Sequence, residues 1–225
     1  MKDNMIRVFF FGDSICFGQG VSIHRGWVTR IASELDKLSH STGTGILLSN
    51  ASINGNTTRL ALERMPYDIQ SQNPDILIVQ FGMNDCNYWL SDRGVPRVSP
   101  QAFAANLAEI INRAFVFGVQ KIFINTNHPT ARDKETMPHT QVTYQQSNES
   151  YNAIIRDVVR QFDERVVLND IEASFMEYIR TNHVPIENLL LPAPDQLHLS
   201  EEGHTLYFNL IYPKVEQAVR ALIDR

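Results

Sequence analysis

A serine hydroxyl attacks a carbonyl only when a base takes its proton and a third group orients that base. Residues of the right types stand at opposite ends of this chain. Ser14 follows Gly12-Asp13 at the end of an apolar run, with Gly18 and Gly20 close behind, and Asp195-Gln196-Leu197-His198 lies shortly before the C-terminal helical pattern. A three-residue separation in a tight turn lets the Asp195 carboxylate fold back onto the Nδ1–H of His198, which leaves Nε2 to face Ser14. Singly, each motif is ordinary: Gly-Asp-Ser turns follow many strands, and an Asp and a His at this spacing occur as plain surface residues. A phosphate loop is the rival explanation for the glycines, but no Lys follows them and their spacing fits neither nucleotide fingerprint. Among the other histidines, His204 falls in a helical pattern and reads as structural, while His128 follows a strand and is a candidate to line the site.

Acyl transfer also needs hydrogen-bond donors where the oxyanion forms. The run Ile76 to Phe81 leads into Gly82-Met83-Asn84-Asp85, which puts an amide side chain at a strand end. A second strand leads through Asn50 to Thr57, where Gly55 can offer a bare backbone N–H. Gly and Asn are also common turn formers, so the weight lies in convergence: four segments put Ser, Gly, Asn and Asp/His on one expected edge of a sheet.

The elements that would carry these residues follow from apolar patterning. Ile6–Phe11, Gly45–Leu48, Ile76–Phe81 and Lys121–Asn125, with a weaker Arg165–Leu168, are short continuous runs of the kind buried on both faces of a parallel sheet. Between them, Trp27, Ile31, Leu35 and Leu38 mark one helical face; Phe103, Leu107, Ile110, Ala114 and Phe117 mark another; Tyr151, Ile154, Ile155, Val158 and Phe162 mark a third. A last helix opens at Ser200, an N-cap followed by Glu201 and Glu202, and carries Leu206, Leu210, Val215, Val219 and Leu222. Pro213 predicts a kink or restart within it. Alternating strands and helices predict an α/β layered fold with a parallel sheet of about five strands, whose ligands bind beyond the carboxyl ends of the strands. The irregular stretch 127–146 is either a substrate lid or a surface excursion.

In order, Gly12-Asp13-Ser14, Gly55, Gly82-Met83-Asn84-Asp85 and Asp195 to His198 resemble the four blocks of the SGNH, or GDSL, hydrolase family. The resemblance spans nearly the whole chain and implies a flavodoxin-like three-layer α/β/α sandwich, with 1–225 as a single domain. It implies Ser14 as nucleophile, His198 as general base and then acid, and Asp195 as its orienting partner. The oxyanion hole would comprise the N–H groups of Ser14 and Gly55 and the side-chain amide of Asn84. Asp13 and Asp85 would hold turns, and no metal or organic cofactor is implied. Ser52 stands where many relatives have glycine, so the second block matches only at Gly55 and the neighbouring Asn50 and Thr57. The Gly-x-Ser-x-Gly elbow of α/β-hydrolases is absent.

Bulk composition agrees with a globular enzyme: 225 residues, 43% hydrophobic and 20% charged. A net charge of -5 argues against nucleic acid and against simple electrostatic membrane binding. The apolar run near the N-terminus is too short for a secretory leader and no segment reaches membrane-spanning length, so a cytoplasmic location is expected, with no membrane insertion. Cys16 and Cys86 are too few for a disulfide framework and read as small buried hydrophobes, with a thiol nucleophile or redox centre as the alternative. The expected partner is a small-molecule ester, with a small-acyl esterase such as a carbohydrate O-deacetylase favoured. A lysophospholipase or acyl thioesterase comes next, with Trp89 and Leu90 as an apolar wall or as packing. A non-catalytic binding module of the same fold is the reading from another class.

Overall fold

The computed structural model describes residues 5–225; the first four residues of the segment weighed above as a leader lie outside it. Five strands, β1 (Met5–Gly12), β2 (Gly45–Asn50), β3 (Ile76–Gln80), β4 (Lys121–Asn125) and β5 (Val166–Asn169), form one sheet in the order β2-β1-β3-β4-β5, every pair parallel. Among the described residues there are seven α-helices, besides four short 3-10 helices: α1 (Ser14–Phe17), α2 (Trp27–Thr42), α3 (Thr58–Asp68), α4 (Pro100–Val116), α5 (Tyr144–Val159), α6 (Ile171–Asn182) and α7 (Glu201–Ile223).

The layering follows from crossover handedness. The chain moves outward from β1 to β2, then reverses past β1 to β3 and continues to β5, so right-handed crossovers place the connecting helices on opposite faces. Accordingly α2 packs with α7, and α7 with α6, while α3 packs with α4 and α4 with α5. The strand order therefore switches direction between β1 and β3, where the ends of two adjacent strands leave a crevice.

All five expected strands are present, β4 with the expected ends and the others with ends shifted by at most two residues. β3 is wholly buried and β1 is buried from Val8 onward. β2 departs from the expectation of burial on both faces: it is an edge strand, and its Leu47 is 42% exposed. Phe117 caps α4 from outside, and Phe162 lies beyond α5. Helices α3 and α6 are not among the helical faces marked from the sequence; side-chain caps at Thr57 and Asp170 open them.

The C-terminal helix does not restart at Pro213. Its buried stripe is Tyr207, Ile211, Val215 and Val219, one position over from the Leu206/Leu210 face expected for its first half. That stripe has a four-residue period on both sides of the proline, so burial of one continuous face outweighs the hydrogen bond that the proline removes.

Trp27, at the start of α2, is fully buried and links three elements. Its Nε1–H donates to the Ile15 carbonyl in α1 at 2.9 Å, its backbone N–H to His204 Nδ1 in α7 at 3.4 Å, and its ring stacks on Tyr207 at 4.5 Å. Trp27→Phe keeps much of the apolar volume and orphans the Ile15 carbonyl. It is expected to cost about 1–3 kcal/mol in urea unfolding; a change below about 0.5 kcal/mol would show that this carbonyl is satisfied another way.

Candidate active site

β1 delivers its last residues to the β1/β3 crevice. Gly12 must be glycine for close approach, since a Cβ there would lie 2.6 Å from Cys16 Cβ and 2.8 Å from the Gln80 carbonyl. Asp13 caps α1, accepting from Ile15 N at 3.0 Å, so Ser14 is the first helical residue and its N–H has no intrahelical acceptor.

Ser14 Oγ lies 2.9 Å from His198 Nε2, and His198 Nδ1 lies 2.8 Å from Asp195 Oδ2. A carboxylate only accepts, so Nδ1 carries the ring proton and bare Nε2 can take the proton of Ser14. The other Asp195 oxygen accepts the N–H groups of His198 at 2.7 Å and Leu197 at 3.0 Å. Burial raises the Asp195 pKa, but these amides and the ring prevail and hold the carboxyl below its ordinary range. The turn folds back through Gln196 at φ 53 and is fastened from the 127–143 segment: Ala131 N–H donates to the Gln196 carbonyl at 3.1 Å and Arg132 Nε–H to the Asp195 carbonyl at 2.7 Å. This stretch thus braces the triad turn at its start, and it ends when Thr143 caps α5.

The second block reaches the nucleophile strand through Ile53 N–H, which donates to the Gly12 carbonyl at 3.1 Å. Gly55 adopts φ +77, where any side chain is strained even though a Cβ there would meet nothing within 4 Å. Arg64, from α3, clamps this loop by donating to Asn56 Oδ1 at 2.7 Å, the Ala51 carbonyl at 2.5 Å and the Gly12 carbonyl at 3.2 Å. Asn84 Nδ2 approaches Asp13 Oδ2 at 3.4 Å, and Arg97 donates to Asn84 Oδ1 at 3.2 Å and to the Gly55 carbonyl at 3.1 Å. Ser14, Gly55, Asn84, Asp195 and His198 are thus joined by direct bonds or through one intermediary. Arg64, Arg97 and Arg132, which bond these segments together, are missed by sequence reasoning because no local pattern marks them.

Asp13 holds the Ser14 turn, as the resemblance implies, whereas Asp85 reaches out of its own turn. Asp85 Oδ1 accepts Thr58 N–H at 2.9 Å and the Thr58 hydroxyl at 2.5 Å, anchoring the start of α3. His128 is not a lining residue. It is sealed in the interior with Nδ1–H on the Pro129 carbonyl, and burial lowers its pKa to about 4. Cys16 and Cys86 are both buried and free, and burial pushes their thiols far above the ordinary range, against a thiolate nucleophile. Trp89 is 50% exposed and Leu90 71%, and both line an open cavity with Ser91, Arg93 and His139. A second cavity, of about 560 Å³, is bordered by Gln196, Asn87, Arg132, Lys134, Glu135 and Tyr144. Among the described residues no cluster of His, Cys, Asp or Glu is arranged to hold a metal ion, and no helix is long and apolar enough to cross a membrane.

A parallel α/β sheet carrying a Ser-His-Asp constellation at its switch point is the arrangement of a GDSL-type protein. The chain belongs to the GDSL-like lipase/acylhydrolase family, whose model matches residues 10–206. It is 29% identical over 106 residues to an arylesterase of Vibrio mimicus, covering 47% of each chain. It is 26% identical over 118 residues to an esterase of Pseudomonas aeruginosa, covering 52% of this chain and 53% of that one. The chain thus spans about half the length of the curated relatives it matches. Solved structures share its fold over most of the chain. An acetyl xylan esterase superposes with a TM-score of 0.74 at 21% identity, over 93% of this chain and 100% of the other. A lipase/acylhydrolase of Enterococcus faecalis gives 0.69 at 22% identity, over 95% and 97%.

Burial raises the Asp85 pKa to about 6, against the Thr58 donors and the Arg97 charge. Its buried Oδ2 has no hydrogen-bond partner, so no donor there offsets the cost of a charge. An unfolded Asp titrates near about 3.9, so between roughly pH 4 and 6 the folded chain holds a proton that the unfolded chain has released. Stability from this group is full below about pH 4 and is lost as pH rises through about 6. Asp13, raised to about 7 by burial, adds a slope of the same sign. Asp85→Asn is expected to flatten the fall of the thermal midpoint between pH 4 and 7 while leaving the Asp13 part in place. An unchanged slope would assign the whole effect to other groups.

Proposed function

We propose that this protein hydrolyses carboxylic esters through an acyl-enzyme on Ser14. The observation that carries the proposal is the relay of Asp195, His198 and Ser14, with contacts of 2.8 and 2.9 Å. In this mechanism Ser14 Oγ attacks the acyl carbonyl as its proton passes to His198 Nε2, and Asp195 stabilises the imidazolium. The tetrahedral oxyanion is received by the N–H groups of Ser14 and Gly55 and by Asn84 Nδ2. Collapse expels the alcohol, protonated by His198, and water activated by the same ring then frees the acid. Membership of the lipase/acylhydrolase family supports ester chemistry.

The acyl group is proposed to be small, with a carbohydrate acetyl ester as the substrate class. Ser14 is only 5% exposed, and the cavity beside Gln196 combines Arg132, Lys134, Glu135 and Asn87, polar groups suited to a hydroxyl-rich leaving group, with Met137, Pro138 and Pro194. The acetyl xylan esterases among the structural neighbours point the same way. A lysophospholipase or thioesterase reading rests on the exposed Trp89 and Leu90, which offer apolar surface to a longer chain.

Purified protein is expected to turn over p-nitrophenyl acetate and to be labelled by an organophosphonate ester, with Ser14→Ala abolishing both; labelling that persists removes Ser14 from the mechanism. Asn84→Ala should lower kcat by roughly two to three powers of ten in a folded protein, and near-normal turnover would exclude Asn84 as an oxyanion donor. Across p-nitrophenyl esters from acetate to octanoate and longer, kcat/KM is expected to fall steeply. A rise with length would replace the acetyl assignment by the lipid or thioester one.

A further inference from the structure

We infer that Arg97 is a positioning residue for oxyanion stabilisation, its guanidinium joining the Asn84 side chain to the Gly55 main chain so that both donors are held as one unit. The inference rests on the ester-hydrolase reading above. Gly55 and Asn84 arrive from the ends of different strands, and the nearby Asp85–Thr58 bonds join their segments without touching either donor residue. One side chain bridges them: separate guanidinium nitrogens donate to Asn84 Oδ1 at 3.2 Å and to the Gly55 carbonyl at 3.1 Å.

The chemistry of that bridge bears directly on the Asn84 amide. An amide side chain is nearly symmetric in shape, and its function depends on which end is NH2. A guanidinium has no acceptor, so only Oδ1 can face Arg97, which leaves Nδ2 3.4 Å from Asp13 Oδ2. With one Nδ2 hydrogen directed to Asp13, the second remains for an oxyanion. A cation on Oδ1 also draws electron density from the amide and strengthens Nδ2–H as a donor, the cooperative effect expected of hydrogen bonds in series.

Arg97 is itself held in place. Its backbone N–H donates to the Asn87 carbonyl at 2.9 Å, and Val98 N–H to the Asp85 carbonyl at 3.2 Å, so this segment lies against the Asn84 turn. Its guanidinium lies 4.0 Å from the centroid of the Trp89 ring. Burial lowers the Arg97 pKa while Asp85 and Asp92 act against that, and a guanidinium keeps its charge at neutral pH. A lysine at this position would bring a point charge without the fork that spans two carbonyl oxygens.

The test is a double-mutant cycle on p-nitrophenyl acetate hydrolysis, with folding checked by circular dichroism and thermal melting. Arg97→Met is expected to lower kcat roughly 10- to 100-fold with KM within about twofold, since the lost interaction acts in the transition state. Arg97→Lys should recover part of that loss. In an Asn84→Ala background the same Arg97→Met change should cost less than about threefold, because its main route of action is already gone. Equal losses in both backgrounds would overturn the inference, as would a raised KM at unchanged kcat, which would mark Arg97 as a substrate contact. A lowered melting temperature with normal kcat would reduce it to a loop staple. If Arg97→Met fails to fold, the kcat of Arg97→Lys in the two backgrounds decides by the same criterion. Failure of the ester-hydrolase reading is separately visible as activity that survives Ser14→Ala.

Discussion

Ser14 and His198 meet across 184 positions of sequence at 2.9 Å, and much of the fold is what holds that distance. The nucleophile belongs to the end of β1, while the histidine stands immediately before the N-cap of α7. Trp27 spans the gap, with its indole on the carbonyl of Ile15, its backbone N–H on His204 and its ring on Tyr207. The helix bearing Ser14 and the helix that follows His198 are thus registered against the same buried residue. Exposed contacts between α2 or its approach and α7, Arg25 with Glu201 and Arg30 with Thr205, lie along the same seam. Exposed ion pairs contribute little by themselves; the buried aromatic contact and the indole hydrogen bond give the seam its stability.

On the other side of Ser14, long polar side chains do the equivalent work. Loops leaving different strands have no ladder to align them, and their carbonyls need donors. Arg64 serves Gly12, Ala51 and Asn56; Arg97 serves Asn84 and Gly55; Arg132 serves Asp195. Arginine suits this task because its planar fork presents several N–H donors that reach separate acceptors from one rigid group. Two buried carboxylates complement them, Asp13 on the Ser14 turn and Asp85 on the start of α3. Both are raised toward neutrality by burial, so the site is held by acceptors whose charge is costly in the interior.

Local pattern and tertiary context divide clearly in this chain. Strands β1, β3 and β4 were legible because a strand buried on both faces must be continuously apolar, and so was the cap at Ser200, whose side chain bonds its own helix. Ser14, Asp195 and His198 could be singled out because hydroxyl, imidazole and carboxylate are the groups that nucleophilic catalysis requires, and the Asp195–His198 bond is local enough to infer from spacing. The same local logic predicted a kink or restart at Pro213, where a continuous buried stripe kept α7 in one piece. It also read His128 as a candidate lining residue, although packing encloses it completely.

The sequence by itself determined the strand-and-helix alternation, the chemical inventory of the site and the order in which its members occur. Tertiary structure alone decided which strand became the exposed edge, that Trp27 would tie α1 to α7, and that Arg97 would meet both Gly55 and Asn84. The reason is physical. Periodicity, capping and turn chemistry act over a few residues and leave a mark in the string of letters. A guanidinium that bonds a carbonyl 42 positions away leaves none, because its partner is a main-chain group that every residue possesses and only the fold brings near.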